Sequence, residues 1–255
     1  FKVQSPKYIQ SLTPRVEYYM EDECKVVDEN KSVWAAIAEM DTAHLRALPV
    51  VDKDGKYKAL LHYSAFAQQL LTILNPENQV SIATSIDLII KTMNAQPLIV
   101  HNKDEIFKST ILVGAASDKT FSKMLDEHKS ENIIVITSDR EKIYEACIER
   151  KVKLLIITSG YMLSKELKEK AQKNGVSVIM SPYTTSDTVM MIAYSTPVSF
   201  MADPDIKPVR PEDTISKIRQ VLQDSPIRRL PVVDANNKVI GIISEHDLTN
   251  EPNIQ

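Results

Sequence analysis

Near the end of the chain, Gly241-Ile-Ile-Ser244-Glu-His246-Asp247 holds the residue types and spacing best suited to chemistry. A hydroxyl and a carboxylate stand three residues apart, where an apolar, strand-like run gives way to a helix. That pair suits the two hydroxyls of a ribose beside a phosphate. Gly241, lacking a Cβ, lets another group approach the backbone closely. Arg228 and Arg229 stand directly before the preceding apolar run, and guanidinium groups pair with phosphate bidentately.

The elements that must position these residues occur twice. Leu230, Val232 and Val233 form one short apolar run and Val239 to Ile243 another, which predicts two buried strands joined by the polar turn Asp234-Ala-Asn-Asn-Lys238. Leu48 to Tyr63 carries the same phrase, with Pro49 lying 182 residues before Pro231. That offset also aligns Arg46 with Arg228 and Val33 with Ile215, so the chain contains an internal repeat. In the first copy the aligned residues are Ala59, His62 and Ala65, and the glycine, hydroxyl and carboxylate are all missing. Val33, Trp34, Ile37 and Met40 follow helical spacing, which predicts a helix with Trp34 in its core stripe. A second helix is expected from Asp213-Thr-Ile215, with Ile218, Val221 and Leu222 inward and Asp224-Ser-Pro226 as its stop. A third is expected over Ala65 to Leu74, ending at Asn75-Pro76. Thr13-Pro-Arg-Val to Met20 parallels Thr196-Pro-Val to Met201 as a lead-in to each copy, and Asp203 to Val209 is an extended segment.

Between the copies, apolar segments at Pro97 to Val100, Thr110 to Val113, Ile133 to Thr137, Leu154 to Thr158 and Val176 to Met180 alternate with helical patterns. Helices are expected over about Arg140 to Lys151 and Ser164 to Asn174, with Gly175 ending the latter. This alternation predicts an α/β domain with a mostly parallel sheet. Asp139-Arg140 at one strand end and Thr158-Ser159-Gly160 at the next admit two readings. One is a ligand site at the carboxyl ends of parallel strands. The other, which we favour, is structural, with Asp139 capping the helix that begins at Arg140 and Gly160 turning the chain. Gly114-Ala-Ala-Ser117 is a weaker anion seat.

Composition excludes several classes. A net charge of −3 with no basic stripe argues against nucleic acid as a partner. Runs such as Leu154 to Ile157 are far too short to span a bilayer, and the start lacks the pattern of a secretory signal, so a cytoplasmic location is expected. The start at Phe1 also raises the expectation of a piece of a longer protein. Cys24 and Cys147 lack metal spacing and read as packing thiols. Five histidines are scattered, and no nucleophile elbow or Walker loop is present, so neither a metal site nor an active site is expected.

The repeated phrase resembles the CBS domain, which works in pairs that bind adenine nucleotides; Gly241, Ser244 and Asp247 carry its ligand pattern. Asp139-Arg140 with Thr158-Ser159-Gly160 resembles the DRTGG domain, Ser159 replacing one glycine. The order of CBS copy, DRTGG domain and CBS copy resembles the regulatory insert of CBS-containing, DHH-type inorganic pyrophosphatases, which depend on manganese or cobalt. The resemblance implies a CBS motif over 1–75, a DRTGG domain over 76–194 and a second CBS motif over 195–255. The fold class is then α/β and α+β, with a CBS pair formed by the two ends of the chain around an inserted α/β domain. It implies a homodimer that binds AMP, ADP, ATP or diadenosine tetraphosphate and controls attached catalytic domains. Asp247 would accept from ribose hydroxyls, with Ser244 and His246 near ribose and phosphate. Arg228 and Arg229 would hold phosphate, Lys207 less so, and Ile206, Pro208 and Ile242 would wall the adenine. The family's Asp-His-His signature is absent, so this chain itself is not expected to be an enzyme. Two rival readings are a transferase function for the middle domain and a structural dimerisation module whose CBS site is vestigial.

Overall fold

The computed structural model describes residues 14–67, 81–225 and 227–249. Thr13 of the first lead-in, the expected helix beyond residue 67 with its Asn75-Pro76 stop, and Pro226 lie outside the described residues. In chain order the first elements are β1 (Glu21–Asp22), β2 (Val27–Asp28), α1 (Val33–Thr42), β3 (Ala47–Val51) and β4 (Tyr57–His62). Then come β5 (Ser81–Thr84), α2 (Ile86–Met93), β6 (Gln96–Ile99), β7 (Phe107–Val113), α3 (Asp118–Asp126) and β8 (Ile133–Thr137). The middle ends with α4 (Glu141–Glu149), β9 (Leu154–Ile157), α5 (Lys165–Asn174), β10 (Ser177–Met180) and α6 (Thr185–Ala193). Last are α7 (Ile215–Asp224), β11 (Arg229–Val233) and β12 (Val239–Ser244). The chain divides into two compact units, one of residues 1–30, 39–67 and 201–255, the other of residues 31–38 and 68–200.

The repeat persists in local structure at the same offset of 182. Helices α1 and α7, strands β3 and β11, and strands β4 and β12 begin and end at equivalent residues. The irregularity between Val50 and Val51 recurs between Val232 and Val233. Asp52 Oδ1 accepts from the N–H groups of Asp54 and Lys56, and Asp234 Oδ1 accepts from those of Asn236 and Lys238. Both turns then need a left-handed residue, Gly55 at φ 77° and Asn237 at φ 63°, the types that adopt it at least cost.

The copies exchange their lead-ins. In the first unit, Val16 N–H donates to Asp213 O (2.9 Å) and Ile215 N–H to Pro14 O (2.9 Å). In the second unit the copy-related bonds run the other way, Val198 N–H to Lys31 O (2.8 Å) and Val33 N–H to Thr196 O (2.8 Å). Likewise β1 pairs antiparallel with β12, Glu21 opposite Ile242, while Asp203 and Leu60 exchange both backbone bonds (2.9 and 3.0 Å). Tyr57 adds a direct tie between copies. Its N–H donates to Asn237 O (2.9 Å), its carbonyl accepts from Asn237 Nδ2 (3.1 Å), and its hydroxyl donates to Ile206 O (2.7 Å).

The middle sheet has the order β5-β7-β8-β9-β10-β6, with β7 to β10 parallel and antiparallel strands at both edges. Three successive parallel crossovers in one direction put α3, α4 and α5 on one face. There Phe121, Leu125, Ile143, Cys147, Leu167 and Ala171 share one core, while Ile86, Ile89, Met93 and Ile192 of α2 and α6 share the other. Strands β8 and β9, covered on both faces, are buried throughout, which is why they read as unbroken apolar runs. The expected strand Pro97 to Val100 is the antiparallel edge β6, where a proline is tolerated. Strand β5 was not expected from the sequence.

Two expected core residues are corrected. Trp34 is 42% exposed and packs on Tyr194 with ring centroids 6.2 Å apart. Val221 is 47% exposed. The inward stripes are Val33, Ala36 and Met40 in α1 and, at the same offset, Ile215, Ile218 and Leu222 in α7. Each misplaced residue is the immediate neighbour of a stripe member, about 100° around the helix.

The group that approaches Gly241 belongs to the chain itself. A Cβ there would lie 2.6 Å from Glu21 O and 3.3 Å from Met20 Sδ. Gly241→Val is therefore expected to push β1 off β12 and to cost about 1–3 kcal/mol, read as a lower midpoint in urea unfolding; an unchanged midpoint would contradict this account.

Candidate functional site

Strand β12 ends at Ser244, and a single 3-10 turn follows over Asp247–Thr249. Ser244 N–H and its hydroxyl both donate to Asp247 Oδ2, each at 2.6 Å. Both side chains are buried. The carboxylate thus closes the strand-to-helix turn and is held in one orientation by two bonds on a single oxygen.

Pairing with β11 sets Arg229 opposite Ser244 and Pro231 opposite Ile242. Alternation then places Arg229, Ile242 and Ser244 on one face of the sheet. The other face, with Leu230, Val232 and Ile243, packs on Ile218 and Leu222 of α7. Val209 bridges Val232 in parallel, so residues 206–208 run back toward the Arg229 end of β11, the end at which β12 delivers Ser244. Ile206 packs against the α7-side core, fixed by the Tyr57 hydroxyl on its carbonyl. Pro208 is half-buried. Lys207 is exposed and donates to Pro204 O at 3.0 Å.

Among the described residues, neither Arg228 nor His246 is bonded to Ser244 or Asp247. Arg228 is exposed, and its Nη1 pairs with Glu245 Oε2 at 2.9 Å rather than with Ser244 or Asp247. His246 is exposed, and its carbonyl accepts from Thr249 N–H and Oγ1 at 3.0 and 2.7 Å. Sequence reasoning passed over Glu245 because it occupies a variable position of the motif, and passed over Tyr57 because its partner lies 149 residues away.

The first copy lacks this arrangement. His62 stands where Ser244 does and meets Ser64 Oγ through Nδ1 at 2.5 Å. Burial holds the His62 imidazole below its usual range, with Asp203 opposing. Ala65 supplies no carboxylate and Ala47, the counterpart of Arg229, no cation.

At the strand ends of the middle unit the motif residues are consumed by structure. Arg140 Nη1 donates to Gly114 O (3.1 Å) and Ala116 O (2.6 Å), and its Nη2 meets Asp118 Oδ1 (2.7 Å). Arg140 itself is the N-cap residue of α4, without a side-chain cap bond, which corrects the expectation that Asp139 caps it. Thr158 Oγ1 meets Thr185 Oγ1 at 3.2 Å, and Ser159 and Gly160 both take left-handed φ, 64° and 76°. A Cβ on Gly114 would lie 2.8 Å from Thr137 Oγ1, so close packing against β8 explains that glycine; Ser117 caps α3 through Thr120 N–H. The parallel strands also run in sequential order without a reversal, so they open no crevice at a switch point.

Burial pushes the Cys24 thiol up to about 11, assisted by Glu21 against Arg229, and the Cys147 thiol up to about 12. Neither is a thiolate nucleophile at neutral pH. Among the described residues no group of three or more His, Cys, Asp or Glu could hold a metal ion, and no helix is long and apolar enough to cross a membrane.

Residues 16–71 and 198–253 each match the CBS domain, and residues 88–195 match the DRTGG domain. The chain is 28% identical over 249 residues to the cobalt-dependent inorganic pyrophosphatase of Clostridium perfringens, covering 97% of this chain and 45% of that protein. It is 20% identical over 251 residues to the probable manganese-dependent inorganic pyrophosphatase of Thermotoga maritima, covering 98% of this chain and 45% of that protein. The chain thus spans under half the length of these relatives. Among solved structures it is similar to the CBS and DRTGG domains of the regulatory region of Clostridium perfringens pyrophosphatase, complexed with the activator diadenosine tetraphosphate. The TM-score is 0.77 at 27% identity, covering 91% of this chain and 99% of that one.

If Arg140 is a structural staple, Arg140→Met should lower stability by about 1–3 kcal/mol through unmet carbonyls and leave nucleotide affinity as it was. Full stability with altered nucleotide affinity, in paired unfolding and titration measurements, would instead restore a ligand site at these strand ends.

Proposed function

We propose that this chain, two CBS sequences around a DRTGG domain, is a regulatory module that binds adenine nucleotides and controls an inorganic pyrophosphatase of which it forms part. The observation that carries this reading is its likeness, along nearly the full length, to the regulatory region solved with diadenosine tetraphosphate. The strand end described above supports it. Asp247, oriented by Ser244, has the second oxygen of its carboxylate to offer a ribose, and Arg229 stands across the strand pair from Ser244 as a phosphate partner. In this reading Arg228, His246 and Lys207 complete the phosphate side, while Ile206, Pro208 and Ile242 wall the adenine. The ligands are AMP, ADP, ATP and diadenosine tetraphosphate. Each biases the pair between two arrangements by its difference in affinity for them. Cobalt or manganese and the hydrolytic step belong to the catalytic domains, which would supply the Asp-His-His residues this chain lacks.

Calorimetric titration with AMP tests the site. At a hundredfold excess over its dissociation constant AMP should stabilise the fold by about 2.7 kcal/mol, raising the melting temperature. Asp247→Ala should remove most of that gain while His62→Ala changes little. A folded Asp247→Ala variant that binds AMP as the parent does would exclude this site.

The module also acts as a homodimer in this reading. A two-fold axis brings the same patch of both copies together, and two arginine pairs then converge on one phosphate chain. One diadenosine tetraphosphate per dimer, against two AMP, is the expected stoichiometry, and linkage should make it bind at least about a hundredfold more tightly than AMP. Two dinucleotides per dimer, or affinity no better than that of AMP, would refute the bridging arrangement.

A further inference from the structure

Strand β1 brings a carboxylate to the face of the candidate site. Glu21 lies directly opposite Ile242 on β12, and residues paired in this way point to the same side of a sheet. Its neighbour Met20 packs on the α7-side core, where a Cβ on Gly241 would meet the Met20 sulfur. Alternation therefore turns Glu21 the other way, to the face of Ile242, Ser244 and Arg229. Two further observations agree. The charges of Glu21 and Arg229 both act on the thiol of Cys24, with opposite sign. In the first copy Asp203 is the counterpart of Glu21 at the offset of 182. It bridges Leu60, the counterpart of Ile242, and its charge acts on His62, which stands where Ser244 does.

Glu21 and Arg229 flank β12 from opposite sides. Two strand spacings, about 10 Å, separate them across the sheet, and the Ile242 row lies two residues along from the Ser244 row. Glu21 is exposed, and among the described residues neither its carboxylate nor the Arg229 guanidinium is held by an ion pair or a side-chain hydrogen bond. A phosphate is drawn to Arg229 and repelled by Glu21, so a nucleotide on this face lies with its phosphate at the Ser244 end and its base over Ile242. With the ribose hydroxyls taken by Asp247, the donor that AMP still offers is the exocyclic amino group of its base. A carboxylate is an acceptor only, which suits it to that group.

We propose that Glu21 is a specificity-determining residue of the nucleotide site, which accepts a hydrogen bond from the amino group of the base and so selects amino-bearing purines. The inference rests on the nucleotide reading given above. The two ends of the chain then divide the ligand between them. The second copy holds ribose and phosphate, and the lead-in of the first copy reads the base. A purine with only a hydrogen in place of the amino group gives the carboxylate no donor in exchange for the water it loses.

The test is calorimetric titration of the full chain with AMP and with purine riboside 5′-monophosphate, which has a hydrogen in place of the amino group, in the parent and in Glu21→Ala. Both ligands carry the same phosphate, so the ratio of their affinities cancels the change of charge near Arg229. The parent should favour AMP by about tenfold or more, as a hydrogen bond to a charged acceptor allows, and Glu21→Ala should bring the ratio within about twofold of one. Glu21→Gln, which keeps an acceptor without the charge, should fall between them. The same ratio in the parent and in Glu21→Ala, while Asp247→Ala still abolishes binding, would overturn the role of Glu21 and leave the nucleotide reading standing. A parent without preference for AMP would overturn it too. AMP binding insensitive to Asp247→Ala, or no AMP binding at all, would remove both the reading and the role of Glu21.

Discussion

The exchange of lead-ins is the constraint on which the CBS-like part depends. A short three-stranded sheet buries too little to stand alone, and here the sheet of each copy is finished by backbone from the other. Strand β1 lies on β12, and Asp203 pairs with Leu60. Gly241 is the chemical mark of that exchange, because only a residue without a Cβ lets Glu21 O come so close. The strand that ends in Ser244 is therefore positioned by residues from the opposite end of the chain. Tyr57 extends the same logic, one residue of the first copy fixing the backbone of Ile206 beside the second.

What was legible in the sequence was local and repeated. Helix starts, strand pairs, the Asp-led turns and the mostly parallel middle sheet follow from period, turn chemistry and apolar runs. Pairings between distant segments leave no local trace. Gly241 announced a close approach without revealing that the visitor was Glu21. Trp34 and Val221 were misplaced because a helical stripe read from composition has an uncertain edge, and each sits one residue from its true member. Asp139 looked like a cap from its type alone, yet backbone geometry decides which residue is the N-cap, and that residue is Arg140. At the candidate site Ser244 and Asp247 were readable, since their spacing closes a turn within four residues. The partner of Arg228 was not, because cross-strand register decides it.

The two candidate ligand regions differ in what remains for a ligand to use. In the middle unit Arg140 spends its donors on two carbonyls and a carboxylate, and the threonine hydroxyls meet one another. At the end of β12 the internal bonds fall on one oxygen of Asp247, and Arg229 flanks them across the strands. The first set of polar residues satisfies itself and makes a scaffold, whereas the bonds inside the candidate site at the end of β12 engage one carboxylate oxygen.

The span of the β1–β12 pairing has a consequence for biosynthesis. Glu21 and Ile242 are separated by more than two hundred residues, so the first copy leaves the ribosome long before its edge partner exists. At about 5–20 residues per second that interval is on the order of 10–40 s. The middle sheet, whose strands all lie between Ser81 and Met180, is complete within it. The nascent first copy then waits with unpaired strand edges, the surface on which chaperones act and aggregation begins.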